Sequence, residues 1–396
     1  MRLRPAALRR RPSRDTLASA GGAALFSLSL GLASVALPLL ALRAGYSGIE
    51  VGVLTAVSAV AQVAVRMVLG PVMRSVSDWV LIAAAGVLLA ASNLAVVASA
   101  AVIPFVVAEL LQGVARGCFW TGSQTHVVRG EGRAVGALAT VNLTSNIGLL
   151  GGPALAGWLS ERSPQLGLGV AGAIAAMALV PALLLQRHPP FSPPGDRPPG
   201  RLWRRPGVHA ACWAGVSGGA WRSLLGSYVP VALDQARQSS STIGILVSVA
   251  NGASLAGSAT AANVRQSWVA REYVICTLAA GLGTGLIAFF ADSVWLAGAA
   301  LVVSGVGAGV LQTVGPAIAA EAVHPQERGE AIAAAGTFRV GALFLAPIGV
   351  AGLMTAAPLT AAMGAVGLLI SLPAVMGRGL RRHLRTAAPA PGTADP

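Results

Sequence analysis

The chain has no lysine: all 28 of its basic residues are arginine. A Walker A loop needs its phosphate-binding lysine, and Schiff-base chemistry needs an amine side chain. P-loop ATP hydrolysis and lysine catalysis are therefore excluded from within this chain. Charge of either sign is scarce, at 11% of 396 residues against about 25% in soluble domains. Cysteine is scarce too. Cys118, Cys212 and Cys276 lie far apart in apolar segments with no CxxC or metal-ligand spacing, and they read as small buried thiols. The five histidines, His126, His188, His209, His324 and His383, stand mostly beside expected loops and form no ligand pattern. No metal and no cofactor is expected.

What the chain has in excess is apolar sequence, 55% hydrophobic with 49 glycines and a mean hydropathy of +0.70. About 20 helical residues cross a hydrocarbon core. Twelve such runs are expected near 17–42, 49–73, 80–98, 101–125, 135–159, 166–186, 208–233, 241–263, 272–290, 294–319, 331–354 and 358–377. The fold class is thus an all-α polytopic membrane protein. The arginine-rich start before the first run resembles a secretory signal peptide, but eleven more runs follow it, so it reads as the first membrane helix.

The net charge of +14 invites a nucleic-acid reading, but the arginines cluster in the gaps between runs, not on one face. With the N-terminus inside, 21 fall in inner segments and three, Arg43, Arg162 and Arg237, in outer loops. That bias places both termini in the cytoplasm and supports an even number of spans. The one long gap, 187–207, is rich in proline, glycine and arginine and reads as an exposed linker. It divides the chain into an N-terminal arm (1–16), a six-helix half (17–186), the linker, a second six-helix half (208–377) and a disordered tail (378–396). The halves repeat weakly: a shift of 192 puts Pro38 on Pro230, Gly52 on Gly244, Gly113 on Gly305 and Gly117 on Gly309, and a shift of 194 puts Pro153 on Pro347. Such internal symmetry marks many secondary transporters, whose solute site lies between the halves near mid-membrane.

The segment "GLLGGPALAG" carries Gly148, Gly152, Pro153 and Gly157, spaced to let a neighbouring helix approach closely and to add a bend. It resembles the Gly-x-x-x-Gly-Pro-x-x-x-Gly pattern of antiporters and exporters of the major facilitator superfamily. "LLQGVARG" (110–117) is similar to that family's fourth helix, and the loops at 129–136 and 324–336 to its short basic loops. The resemblance covers essentially the whole chain and implies twelve helices in two pseudo-symmetric halves, alternating access and proton-coupled efflux. Two positions depart from the family pattern. Arg74 stands where an aspartate is usual, and Glu109 stands where arginine is common.

A charge in mid-span costs on the order of 2.5–3.5 kcal/mol on insertion scales, so it normally faces a bundle interior or a watery cavity. Here the interior charges are Arg66, Glu109, Arg116, Arg222 and Arg339. Helical spacing sorts polar residues into stripes: Glu109, Gln112, Arg116, Trp120 and Ser123 on one helix, Thr55, Ser58, Gln62 and Arg66 on another. Asn142 and Asn146, the series Ser248, Asn251, Ser254, and Trp213, Ser217, Trp221, Tyr228 beside Arg222 extend them. The serine and asparagine stripes serve equally well as glue between helices.

Arg116 and Arg222, near mid-span, are the expected substrate contacts, with Gln62, Gln112, Trp120, Asn142, Asn146, Trp221, Tyr228 and Asn251 around them. Arg66, Arg74 and Arg339 are expected to act as gating or latching charges. Seven residues of helix rise about 10.5 Å, so Glu109 and Arg116 do not make a simple pair. Glu109 is either a proton carrier or the partner of an arginine on another helix.

The interior arginine favours a small organic solute bearing a carboxylate or other anionic group. Export by proton antiport is the leading expectation. Import of an organic anion or sugar is one rival, and a non-transporting scaffold or receptor another. An intramembrane enzyme is not expected, because one glutamate without a nearby histidine supplies no acid–base or metal constellation. Arginine-only, Ala/Gly-rich composition points to a GC-rich bacterial genome and the inner membrane. The expected partners are the solute, protons and the bilayer, with no nucleic acid and a monomeric state.

Overall fold

The computed structural model describes residues 13–129, 134–190, 202–261, 268–323 and 328–377. The expected tail, most of the N-terminal arm, the middle of the linker and parts of the loops at 129–136 and 324–336 lie outside them. The described residues are all helical in their regular structure. In chain order the helices are α1 (Arg14–Arg43), α2 (Gly48–Val72), α3 (Asp78–Ala98), α4 (Val102–Arg129), α5 (Ala134–Ser160), α6 (Pro164–Met177) and α7 (Leu179–Leu183). There follow α8 (Pro206–Leu225), α9 (Tyr228–Gln235), α10 (Ser240–Ala261), α11 (Val269–Ile287), α12 (Val294–Glu321), α13 (Arg328–Met354) and α14 (Leu359–Ser371). Among the described residues, nine helical segments are long and apolar enough to cross a membrane. The molecule is a multi-pass membrane protein. Large apolar side chains such as Ile103, Leu183, Trp295 and Val375 stand exposed on its outside, where a lipid tail is their natural neighbour.

Local chemistry sets where the helices start and stop. Ser47 and Glu50 form a reciprocal cap at the start of α2: the Glu50 carboxylate accepts the Ser47 backbone N–H at 2.7 Å, and Ser47 Oγ accepts the Glu50 N–H at 3.3 Å. Ser163 Oγ accepts the Leu166 N–H at 3.1 Å ahead of Pro164, the first residue of α6.

Three of the expected continuous runs are interrupted, and proline explains each. A proline has no N–H to give the carbonyl four residues back and clashes with it. Pro181 therefore ends α6 at Met177, Pro230 parts α8 from α9 at Gly226–Ser227, and Pro373 turns the end of α14 into a 3-10 helix over Leu372–Met376. The expected unbroken run over 208–233 is corrected accordingly, and Arg222 sits in the last turn of α8.

The repeat seen in sequence reappears as matched contacts. Gly113 of α4 lies against the Ser58 carbonyl of α2, and Gly305 of α12 lies against the Ala250 carbonyl of α10. Gly117 faces the Gln62 carbonyl, and Gly309 faces that of Ser254. All four glycines and all four carbonyls are related by the same shift of 192. Helix pairings match as well: α1–α5 with α8–α13, α3–α6 with α11–α14, and, across the middle, α5–α10 with α2–α13.

Candidate functional site: a cavity lined by arginine

A cavity of about 1870 Å³ lies between the two sets of helices. It is lined from α1, α2, α4 and α5 on one side and from α8, α10, α12 and α13 on the other. It reaches Arg74, Gln124 and Arg129, at the face where α1 begins. At the opposite face the two sets meet. Gly157 of α5 packs on Gly244 of α10, and Tyr228 of α9 packs over Gly52 of α2. Beside them the Glu161 carboxylate accepts the Ser241 backbone N–H at 2.8 Å, and Arg43 donates to Ser240 Oγ at 2.9 Å. Glu161 lies outside the apolar segments, and its carboxyl is held below the usual range, first by that backbone N–H.

Six arginines and one carboxylate line the cavity: Arg66, Arg74, Arg116, Arg129, Arg222, Arg339 and Glu109. Glu109 is 6% exposed. Among the described residues no arginine nitrogen comes within 4.0 Å of it. Arg116 acts on it through space, and Ser58 of α2 is its polar neighbour short of a formed hydrogen bond. The three arginines nearest the middle are each oriented by a neutral amide. Arg116 donates to Gln112 Oε1 one turn back on α4, Arg222 to Asn251 Oδ1 of α10, and Arg339 to Gln312 Oε1 of α12 at 3.2 Å.

Of the residues singled out from sequence, Gln62, Arg66, Arg74, Glu109, Gln112, Arg116, Trp120, Asn142, Asn146, Trp221, Arg222, Asn251 and Arg339 all line this one cavity. Trp221 is 2% exposed, its indole N–H donating to Ser304 Oγ at 3.2 Å. Tyr228 is fully buried and outside the lining, where its ring fills the space that the missing side chain of Gly52 leaves. The motif glycines divide their work. Gly148 and Gly152 pack on α1 at Ala24, Leu28 and Gly31, beside Pro153, whereas Gly157 reaches α10 in the other set.

Two features escaped the sequence. Gln312 is a single amide in the apolar run of α12, and the 192-residue shift puts it opposite Trp120, a signal that was there to use. The second is a charge cluster around His126, a residue expected beside a loop. His126 is fully buried; Nε2 lies 3.1 Å from Asp15 of α1, and Nδ1 lies 3.4 Å from Asp78 of α3. Arg129 stands 3.4 Å from Asp78 and also donates to the Pro189 carbonyl at 2.7 Å, and the Gln186 N–H reaches Asp15 at 2.8 Å. Residues 15, 78, 126 and 186 have no common spacing, so only folding unites them. Among the described residues no group of three or more His, Cys, Asp or Glu is placed to hold a metal ion.

The family model of the Major Facilitator Superfamily matches residues 20–258. No curated protein matches the chain in sequence. Among solved structures the fold is similar to the nucleoside transporter NupG, at 13% identity and TM-score 0.72, covering 94% of this chain and 99% of that one. It is also similar to a bacterial homologue of the human lysosomal transporter Spinster, captured inward-facing and unoccupied, at 14% identity and TM-score 0.74 over 98% and 100%. A POT family transporter in complex with a thioalcohol-conjugated peptide matches at 11% identity and TM-score 0.71 over 94% and 96%. With more than half its length matched, this chain belongs to the major facilitator superfamily, whose members are membrane transporters and not enzymes.

Proposed function

We propose that this protein exports a small anionic organic solute from a bacterial cell by alternating access, exchanging it for protons. In this reading the chain crosses the inner membrane twelve times, with α6–α7, α8–α9 and α14 with its 3-10 end each serving as one crossing, and both termini lie in the cytoplasm. The observation that carries it is the composition of the cavity wall: six arginines against one carboxylate, Glu109. A guanidinium offers charge-assisted, forked hydrogen bonds to carboxylate or phosphate oxygens, and a low-dielectric wall strengthens the attraction. Trp120 adds a ring face for an apolar portion of the solute. The cavity reaches the arginine-rich face, so the described state is the one that loads from the cytoplasm.

Glu109 is the proton site in this scheme. For a carboxyl, burial favours the neutral form and nearby guanidiniums the charged one, so a change of surroundings moves it between the two. Opening the opposite face changes its hydration, and so lets a proton load on one side and leave on the other. The test is transport in proteoliposomes across a panel of anionic, neutral and cationic solutes, driven by a proton gradient. Wild type accumulates an anion against its gradient. Glu109→Gln exchanges that anion across the membrane but no longer concentrates it. Full gradient-driven accumulation by Glu109→Gln removes Glu109 from the coupling, and failure of every anion to move removes the export reading.

A further inference from the structure

The three central arginines are fixed in place without being neutralised. Gln112, Asn251 and Gln312 each accept from one guanidinium, and a carboxamide oxygen orients a fork while adding no charge. Among the described residues no carboxylate lies within 4.0 Å of Arg116, Arg222 or Arg339. Arg116 stands on one wall, in α4, and Arg222 and Arg339 stand on the other, in α8 and α13. Their charges repel one another: Arg222 is opposed by Arg116 from the other wall and by Arg339 on its own, and Arg339 by Arg66 from the other wall. With Glu109 ionised, the four interior guanidiniums leave three positive charges uncancelled. A singly charged solute still leaves two, facing each other across the gap that has to close during transport.

We infer that the cavity is a seat for a solute bearing at least two negative charges, bridging Arg116 on one wall to the Arg222–Arg339 pair on the other, with Gln112, Asn251 and Gln312 as positioning residues. A dicarboxylate and a phosphate ester both carry this chemistry. The inference rests on the reading of this cavity as the solute site and narrows its substrate class. Gln312 accepts from Arg339, the last of the three central arginines along the chain.

The test uses the full-length protein in nanodiscs of neutral lipid, with sulfate and methanesulfonate as probes at matched pH and ionic strength. The two are tetrahedral and similar in size, and they differ by one charge. Sulfate raises the melting temperature saturably, and methanesulfonate needs at least about tenfold more for the same rise, the factor that 1.4 kcal/mol of extra attraction gives. Arg339→Gln and Gln312→Glu each lose this preference. Without added anion both melt at or above wild type, because each removes or cancels one charge of a repelling set. A merely structural amide predicts the opposite, a lower melting temperature with the preference kept. Arg339→Lys keeps the charge without the fork, and it retains a weakened preference.

Equal responses to the two anions, or a sulfate preference that survives Arg339→Gln, overturn the inference. The underlying reading fails differently. If no solute is driven across proteoliposomes while sulfate is still preferred, transport is wrong and the seat stands. If a monoanion or neutral solute is driven with no sulfate preference, transport stands and the seat is wrong.

Discussion

At the scale of single residues, an ionisable group acts according to what surrounds it. Glu109 and His126 are both buried on α4, yet they sit in opposite situations. Among the described residues no arginine nitrogen lies within 4.0 Å of Glu109, which is the surrounding that the proposed proton site requires. His126 has a carboxylate at each ring nitrogen, which only the doubly protonated ring can serve with two donors. Removing one partner of a buried ionic set strands the other charges and costs roughly 3–5 kcal/mol. His126→Leu should therefore lower the unfolding midpoint in detergent sharply, because Asp15 and Asp78 both lose the ring they share. Adding Asp15→Asn to that variant should recover part of the loss. An unchanged midpoint in His126→Leu means the cluster contributes nothing to stability.

At the scale of elements, close helix approach depends on the glycines that the repeat aligns. A Cβ at Gly113 would run into the Ser58 carbonyl, and one at Gly305 would lie 2.5 Å from the Ala250 carbonyl. Backbone carbonyls cannot move aside as a flexible side chain can. Gly113→Ala and Gly305→Ala should each cost about 1–3 kcal/mol, the usual penalty of overpacking, measured as a loss of thermal stability in the purified protein. A drop in one variant only would break the equivalence between α2–α4 and α10–α12.

The end of α5 and the start of α10 form the other informative element pair. Glu161 accepts from the first turn of α10 at Ser241, and its folded-state pKa lies below the ordinary 4.5. A depressed carboxyl stabilises the closed contact at all pH values above its ordinary range, and that contribution disappears as pH falls through the lower, folded value. Spin labels placed on α5 and α10 at this face should therefore separate at a pH below about 4.5 and not between pH 5 and 8, where the carboxylate stays ionised. Glu161→Gln should show no such acid-dependent step. A step of the same size in that variant assigns the transition to another group.

At the scale of the whole molecule, alternating access requires the two sets of helices to part where they now touch. The native cysteines, Cys118, Cys212 and Cys276, are all buried, so introduced cysteines are the reactive ones. A disulfide or short cross-link between Glu161→Cys and Ser241→Cys should arrest solute flux, and reductant should restore it. Continued flux through the cross-linked protein argues that the face near Gly157 and Gly244 does not open during transport.

The sequence alone determined the class of object and most of its wall. Apolar runs of span length, arginines concentrated in the gaps and a 192-residue repeat are properties of local composition and spacing, and they are legible because bilayer thickness and helix geometry are fixed. For the same reason the polar stripes were legible. A helix repeats every 3.6 residues, so Gln62, Arg66, Gln112 and Arg116 had to share faces, and only an interior could accept them. Tertiary structure decided the partnerships. Whether Glu109 met an arginine, which amide oriented Arg339, and that Asp15, Asp78 and His126 would converge depended on contacts between residues far apart in the chain, and spacing along a helix carries no information about the helix that packs against it. Tyr228 makes the same point. Its stripe aimed it at the cavity, but the break imposed by Pro230 gave α9 its own direction and turned the ring onto Gly52.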